Sequence, residues 1–127
     1  MPYEKILIVD DDHDIVLFLS TVLKDNGYSV IDAENGHEGL DKATSEQPDL
    51  ILLDLMMPEK SGISMLSDLA ADPATEKIPV IMVTGVSGEA GIDLESFFKG
   101  SSVVPEGVVQ KPVDPEKLLR LIKKALG

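Results

Sequence analysis

Four short apolar runs constrain this chain more than any other feature. Ile6-Leu7-Ile8-Val9, Leu50-Ile51-Leu52-Leu53, Val80-Ile81-Met82-Val83 and the shorter Val108-Val109 contain no internal polar residue. A run of this length and β-branched character, without alternation, reads as a strand buried on both faces of a parallel sheet. The polar residues that close the runs are Asp10, Asp54, Thr84 and, after Gln110, Lys111. A fifth segment, Tyr28 to Asp32, alternates polar with apolar and so predicts a more exposed strand at an edge.

Helical spacing fills the intervals. Ile15, Val16, Leu19, Val22 and Leu23 recur on one face until Asn26-Gly27 stops them. Asn35-Gly36 marks a turn before a short helix with Leu40 and Ala43, ending near Gln47-Pro48. Beyond Pro58, Ile63, Leu66, Leu69 and Ala70 form another apolar face, closed by Asp72-Pro73. Asp114 followed by Pro115 is an N-cap with proline at the first helical position, and Leu118, Leu119, Ile122 and Ala125 give the last helix its apolar side. Lys123 and Lys124 lie near the negative end of that helix dipole. Residues 85–107 hold five of the ten glycines and yield only a helix around 92–98.

Strands alternating with helices predict an α/β fold, a five-stranded parallel sheet with helices on both faces, because right-handed crossovers put them there. A chain of 127 residues has room for one core, so a single domain over residues 1–127 is expected.

Charge then narrows the function. With 23 carboxylates against 11 Lys and Arg, the formal charge is −12. Binding to phosphate backbones or anionic membranes needs cations that displace counterions, so neither nucleic acid nor membrane is expected as a direct partner. The apolar runs fall far short of the roughly 18 residues a membrane span needs, and the N-terminus lacks the basic start and apolar segment of a signal peptide. Cysteine is absent, which excludes disulfides and thiolate sites. The expected location is the cytoplasm.

In open parallel sheets, sites form at the carboxyl ends of the strands where strand order reverses. That rim would receive Asp10, Asp11 and Asp12 from the first strand, Asp54 from the third, Thr84 from the fourth and Lys111 from the fifth. Clustered carboxylates repel unless some protonate or a cation joins them. A hard divalent ion with oxygen ligands, Mg²⁺ before Ca²⁺, suits a set without cysteine and with only His13 and His37 as softer donors. Metal, ammonium and hydroxyl around one carboxylate are the parts phosphoryl transfer needs. Asp54 is the expected nucleophile, as it alone ends a central strand without carboxylate neighbours in sequence, and the acidic trio would hold the ion. Asp12 itself reads as a helix cap in preference to a ligand, and both histidines read as solvated.

Ile8-Val9-Asp10-Asp11-Asp12, the stretch Leu52-Leu53-Asp54-Leu55-Met56-Met57-Pro58-Glu59-Lys60-Ser61-Gly62, Val83-Thr84 and Lys111-Pro112 resemble the receiver domain of two-component response regulators. The resemblance covers almost the whole chain. It implies a doubly wound, flavodoxin-like sheet in the order 2-1-3-4-5. It implies that a sensor histidine kinase or a histidine phosphotransfer protein donates a phosphoryl group to Asp54. Mg²⁺ would be held by Asp11 directly, Asp10 partly through water, Asp54, and the backbone carbonyl of Met56. Thr84 and Lys111 would each contact a phosphoryl oxygen, and the Lys111-Pro112 bond would be cis. The product would be a switched surface for a downstream protein target, with slow loss of the phosphoryl group and no turnover as an enzyme.

Three departures from the family pattern stand out. Val108 occupies the place of the usual Tyr or Phe three residues before the Lys. The interval from Thr84 to Lys111 is long, and Gly85 follows the Thr. Met56 and Val86, two residues beyond Asp54 and Thr84, are apolar and cannot orient an attacking water, which predicts a comparatively long-lived phosphoaspartate. Two alternatives compete: a small haloacid-dehalogenase-like phosphohydrolase using Asp10 and Asp12 as an Asp-x-Asp pair, and a degenerate receiver acting only as a binding module.

Overall fold

The computed structural model describes residues 4–54, 62–84 and 106–127. In chain order these form β1 (Lys5–Val9), α1 (His13–Asp25), β2 (Ser29–Ala33), α2 (Gly36–Glu46), β3 (Leu50–Asp54), α3 (Gly62–Ala71), β4 (Val80–Thr84), β5 (Gly107–Gln110) and α4 (Pro115–Leu126). The helix expected around 92–98 lies outside the described residues.

All strand pairs among the described residues are parallel, and the sheet order is β2-β1-β3-β4-β5. This is the flavodoxin-like order that the sequence motifs imply. The alternation of side chains along each strand divides one apolar run between two cores. Leu7 and Val9, Ile51 and Leu53, Val80 and Met82 face one side, where they meet Ala43 of α2 and Met65, Leu66 and Leu69 of α3. Ile6 and Ile8, Leu50 and Leu52, Ile81 and Val83 face the other, against Leu19 and Leu23 of α1 and Leu118 and Ile122 of α4. Burial on both faces is why these runs lack polar residues. β2 stands at the edge and shows it, with Ser29 and Asp32 exposed.

Helix ends follow local chemistry. Asp12, Asn35 and Asp114 cap α1, α2 and α4 with their side-chain oxygens. α1 ends at Asn26, and Gly27 follows at φ +87°, a left-handed conformation that glycine adopts without strain. Gly39 serves a different need: a Cβ there would lie 2.8 Å from Met65 Cε and 3.0 Å from Val9 Cγ2. A bare backbone lets α2 pack that closely on β1 and α3. No helix among the described residues is long and apolar enough to cross a membrane.

Candidate functional site

The order of the sheet reverses at β1. The chain moves outward to β2, then returns to lay β3 on the other side of β1, opening a crevice between the carboxyl ends of β1 and β3. Val9 pairs in register with Leu53, so Asp10 and Asp54, each the next residue along, emerge side by side. Asp10 is 3% exposed and Asp54 5%.

Both oxygens of Asp10 are engaged. Oδ1 accepts the backbone N–H of Asp12 at 2.9 Å, and Oδ2 accepts from Lys111 Nζ at 3.0 Å. The same Nζ lies 3.8 Å from Asp54 Oδ2. One ammonium, carried in by the residue after β5, thus sits between two buried carboxylates that would otherwise repel each other. The Lys111-Pro112 peptide bond is cis. Asp11 is exposed, yet one oxygen from each of Asp10, Asp11 and Asp54 lies within 4.8 Å of the others.

Three carboxylates against one ammonium leave the cluster negative. Its donors are all hard oxygens, which suits a divalent cation such as Mg²⁺ or Ca²⁺ better than a metal that prefers nitrogen or sulfur. The residues present therefore fit a hard metal ion.

The acidic trio does not act as a unit. Asp12 Oδ1 accepts the N–H groups of Asp14 at 2.9 Å and Ile15 at 3.4 Å, so this side chain caps α1 and stays out of the cluster. Its backbone amide is what reaches the site. Sequence reasoning missed that contribution, although the capping pattern was its signal: an N-cap residue presents its amide at the start of the helix, here to Asp10. His13 is exposed beside Glu34, with Nε2 3.6 Å from Oε1, and His37 is exposed too.

Thr84 ends β4 in register with Gln110, one position past the pairing of Asp54 with Val83. Its backbone is therefore at the same rim as Asp54 and Lys111. Met56 and Val86 lie outside the described residues, as does most of the long interval between β4 and β5. Val108 is half-buried and packs on the core under α2 and α3.

The sequence model for the family described as response regulator receiver domain matches residues 6–123. The chain belongs to the response regulator receiver family. This receiver is 36% identical over 123 residues to protein PilH of Pseudomonas aeruginosa, which takes in 97% of this chain and 98% of PilH. It is 35% identical over 125 residues to the alkaline phosphatase synthesis transcriptional regulatory protein PhoP of Bacillus subtilis, spanning 97% of this chain but only 48% of PhoP. Among solved structures, the receiver resembles a CheY-like response regulator receiver domain protein of Methanospirillum hungatei, with TM-score 0.85 and 33% identity over 98% of this chain and 94% of that one. Chemotaxis protein CheY4 of Vibrio cholerae superposes with TM-score 0.85 at 30% identity, covering 98% of this chain and 99% of that protein. The receiver match runs through Asp10 and takes the place of the haloacid-dehalogenase alternative.

Proposed function

We propose that this receiver accepts a phosphoryl group on Asp54 from a phosphohistidine of a sensor histidine kinase or a histidine phosphotransfer protein in the cytoplasm. The observation that carries this reading is the convergence of Asp10, Asp11, Asp54 and Lys111, from three strand ends, on one crevice. A carboxylate oxygen of Asp54 forms the new bond to phosphorus, the phosphorus–nitrogen bond to the donor imidazole breaks, and its electron pair leaves with the imidazole.

Asp10, Asp11, Asp54 and the backbone carbonyl of Met56 would hold Mg²⁺, which when bound supplies positive charge to offset that of the phosphoryl oxygens. Lys111 is already within reach of Asp54 and would pair with one of those oxygens. Thr84 would donate its hydroxyl to another. The donor has to approach across the rim from which α1 departs, and α1 leaves Leu17 68% and Phe18 41% exposed, an apolar contact for such a partner. Charge added at Asp54 then biases an equilibrium between two surfaces read by a downstream protein. The domain, residues 1–127, takes up and slowly loses the group and does not turn over substrate as an enzyme.

Acetyl phosphate with Mg²⁺, followed by intact-mass measurement, tests this. The expected result is a labile phosphoryl adduct that is lost in Asp54→Asn and in EDTA. Multiple turnovers dependent on Asp10 would restore the hydrolase reading, and absence of any adduct would leave a receiver that works only as a binding module.

A further inference from the structure

Among the described residues, three helices start on a side-chain cap, and the three caps are not alike. Asn35 accepts the Glu38 amide at 2.9 Å and Asp114 the Glu116 amide at 3.1 Å, which satisfies donors at the starts of α2 and α4. Asp12 does the same for α1, accepting the amides of Asp14 at 2.9 Å and Ile15 at 3.4 Å. It also donates its own amide to Asp10 Oδ1 at 2.9 Å. Of the three, it is the one cap whose amide ends on a buried carboxylate among the described residues.

These bonds run as one chain from helix to site. The Asp12 carbonyl accepts the Val16 amide at 3.0 Å, so side chain and carbonyl together fix residue 12 at φ −90° and ψ 108°. The direction of its N–H is fixed with it. On the other side, the Asp10 amide donates to the Ala33 carbonyl of β2 at 3.1 Å. Asp10 is thus anchored by its backbone to the sheet and by Oδ1 to the helix start, with Oδ2 facing Lys111. Asp11 is the single residue between these anchors. It is exposed, so packing does not hold it, yet one of its oxygens lies within 4.8 Å of those of Asp10 and Asp54.

We propose that Asp12 is a positioning residue for the cation of this site: its cap on α1 fixes the amide that orients Asp10 and the backbone that carries Asp11. Carboxylates that ligate a metal are themselves held by outer hydrogen bonds, and losing such a partner weakens metal binding. The role rests on the ion site proposed above and adds to it a side chain that does not touch the ion. Linkage makes the coupling reciprocal. An ion that holds Asp10 and Asp11 must also tighten the first turn of α1, the helix that exposes Leu17 and Phe18.

Two plainer effects, the negative charge of Asp12 and the general strength of α1, are separable by substitution. Asp12→Asn removes the charge and keeps the cap, Asp12→Ala removes both, and Asp12→Gly removes the side-chain acceptor at little cost to the helix. The test is calorimetric titration of each full-length variant with Mg²⁺ at physiological salt, with urea unfolding alongside. The Ala and Gly variants are expected to bind Mg²⁺ about fivefold or more weakly than the Asn variant, although all three carry the same charge and Gly stays close to Asn in stability. Mg²⁺ should also slow hydrogen exchange at the Asp14 and Ile15 amides in the native and Asn chains, and this slowing should vanish in Ala and Gly. If the Ala variant fails to fold, the Gly variant against Asn gives the same comparison. Equal affinities in the neutral variants, beside a native chain that binds the ion, would overturn the role of Asp12 and leave the ion site standing. Affinities that merely track stability, with Gly matching Asn, would overturn it too. A native chain that binds no Mg²⁺ would remove the ion site and this role together.

Discussion

Two lysine–carboxylate groups sit at opposite ends of β1, and they do different things with the same chemistry. At the amino end, Lys5 Nζ is 3.3 Å from Glu46 Oε1, with the two side chains 34% and 46% exposed. At the carboxyl end, Lys111 is 3.0 Å from Asp10 and 3.8 Å from Asp54, whose side chains are 2% and 6% exposed. The first pair is screened by water and joins the end of α2 to the sheet, alongside the hydrogen bond from the Lys5 amide to Asp49 Oδ2 at 2.7 Å. The second holds two buried carboxylates that water stabilises poorly and that repel each other, so both depend on the one ammonium between them. Distance alone would make the two pairs look alike; burial separates a brace from a site.

The sharpest way to break the comparison is Lys111→Met. Asp10 and Asp54 would lose their counter-charge, and unfolding in urea without divalent ions should show a loss of about 2 kcal/mol, less than a fully buried pair would lose because Lys111 is 21% exposed. Millimolar Mg²⁺ should recover part of that loss. A smaller and opposite effect is expected for Asp10→Asn. Removing one of three clustered carboxylates should leave the ion-free melting temperature unchanged or higher, while Mg²⁺ affinity, followed by thermal shift, falls at least about tenfold.

At the other end of β1, Lys5→Met should cost no more than about 0.5 kcal/mol in the same urea experiment. A loss as large as that of Lys111→Met would abolish the distinction. Smallest of all is Glu38, whose carboxyl lies below its ordinary range because Lys42 donates to it and the Glu34 amide adds a second hydrogen bond. A carboxylate with a lowered folded-state value stabilises the fold above its unfolded value and stops doing so as pH falls through the folded one. Glu38→Gln should therefore cost a few tenths of a kcal/mol at pH 7, a figure reduced by the solvent exposure of the pair, with the gap to the native chain closing below about pH 4.

Much of this architecture was legible residue by residue. The unbroken run Leu50 to Leu53 predicts a strand covered on both faces, and those four side chains divide evenly between the two cores. Asp114-Pro115 predicts the start of α4, where the Asp114 side chain accepts the Glu116 amide. The site was legible to the level of a rim, with Asp12 set apart as a cap, which it is. No local pattern separates Asp10, buried and bonded through both oxygens, from Asp11, exposed beside it.

What the amino-acid order determined by itself was local: where strands and helices begin, which caps end them, and that polar residues gather at strand ends. Those properties come from short-range sterics and from the periodicities of 2 and 3.6 residues, which any short window contains. Only the tertiary structure decided that Lys111 reaches Asp10 across 101 residues and also approaches Asp54. That contact depends on β1 and β3 lying side by side with β5 beyond them, and sheet order is set by the packing of the whole chain, not by any window of it.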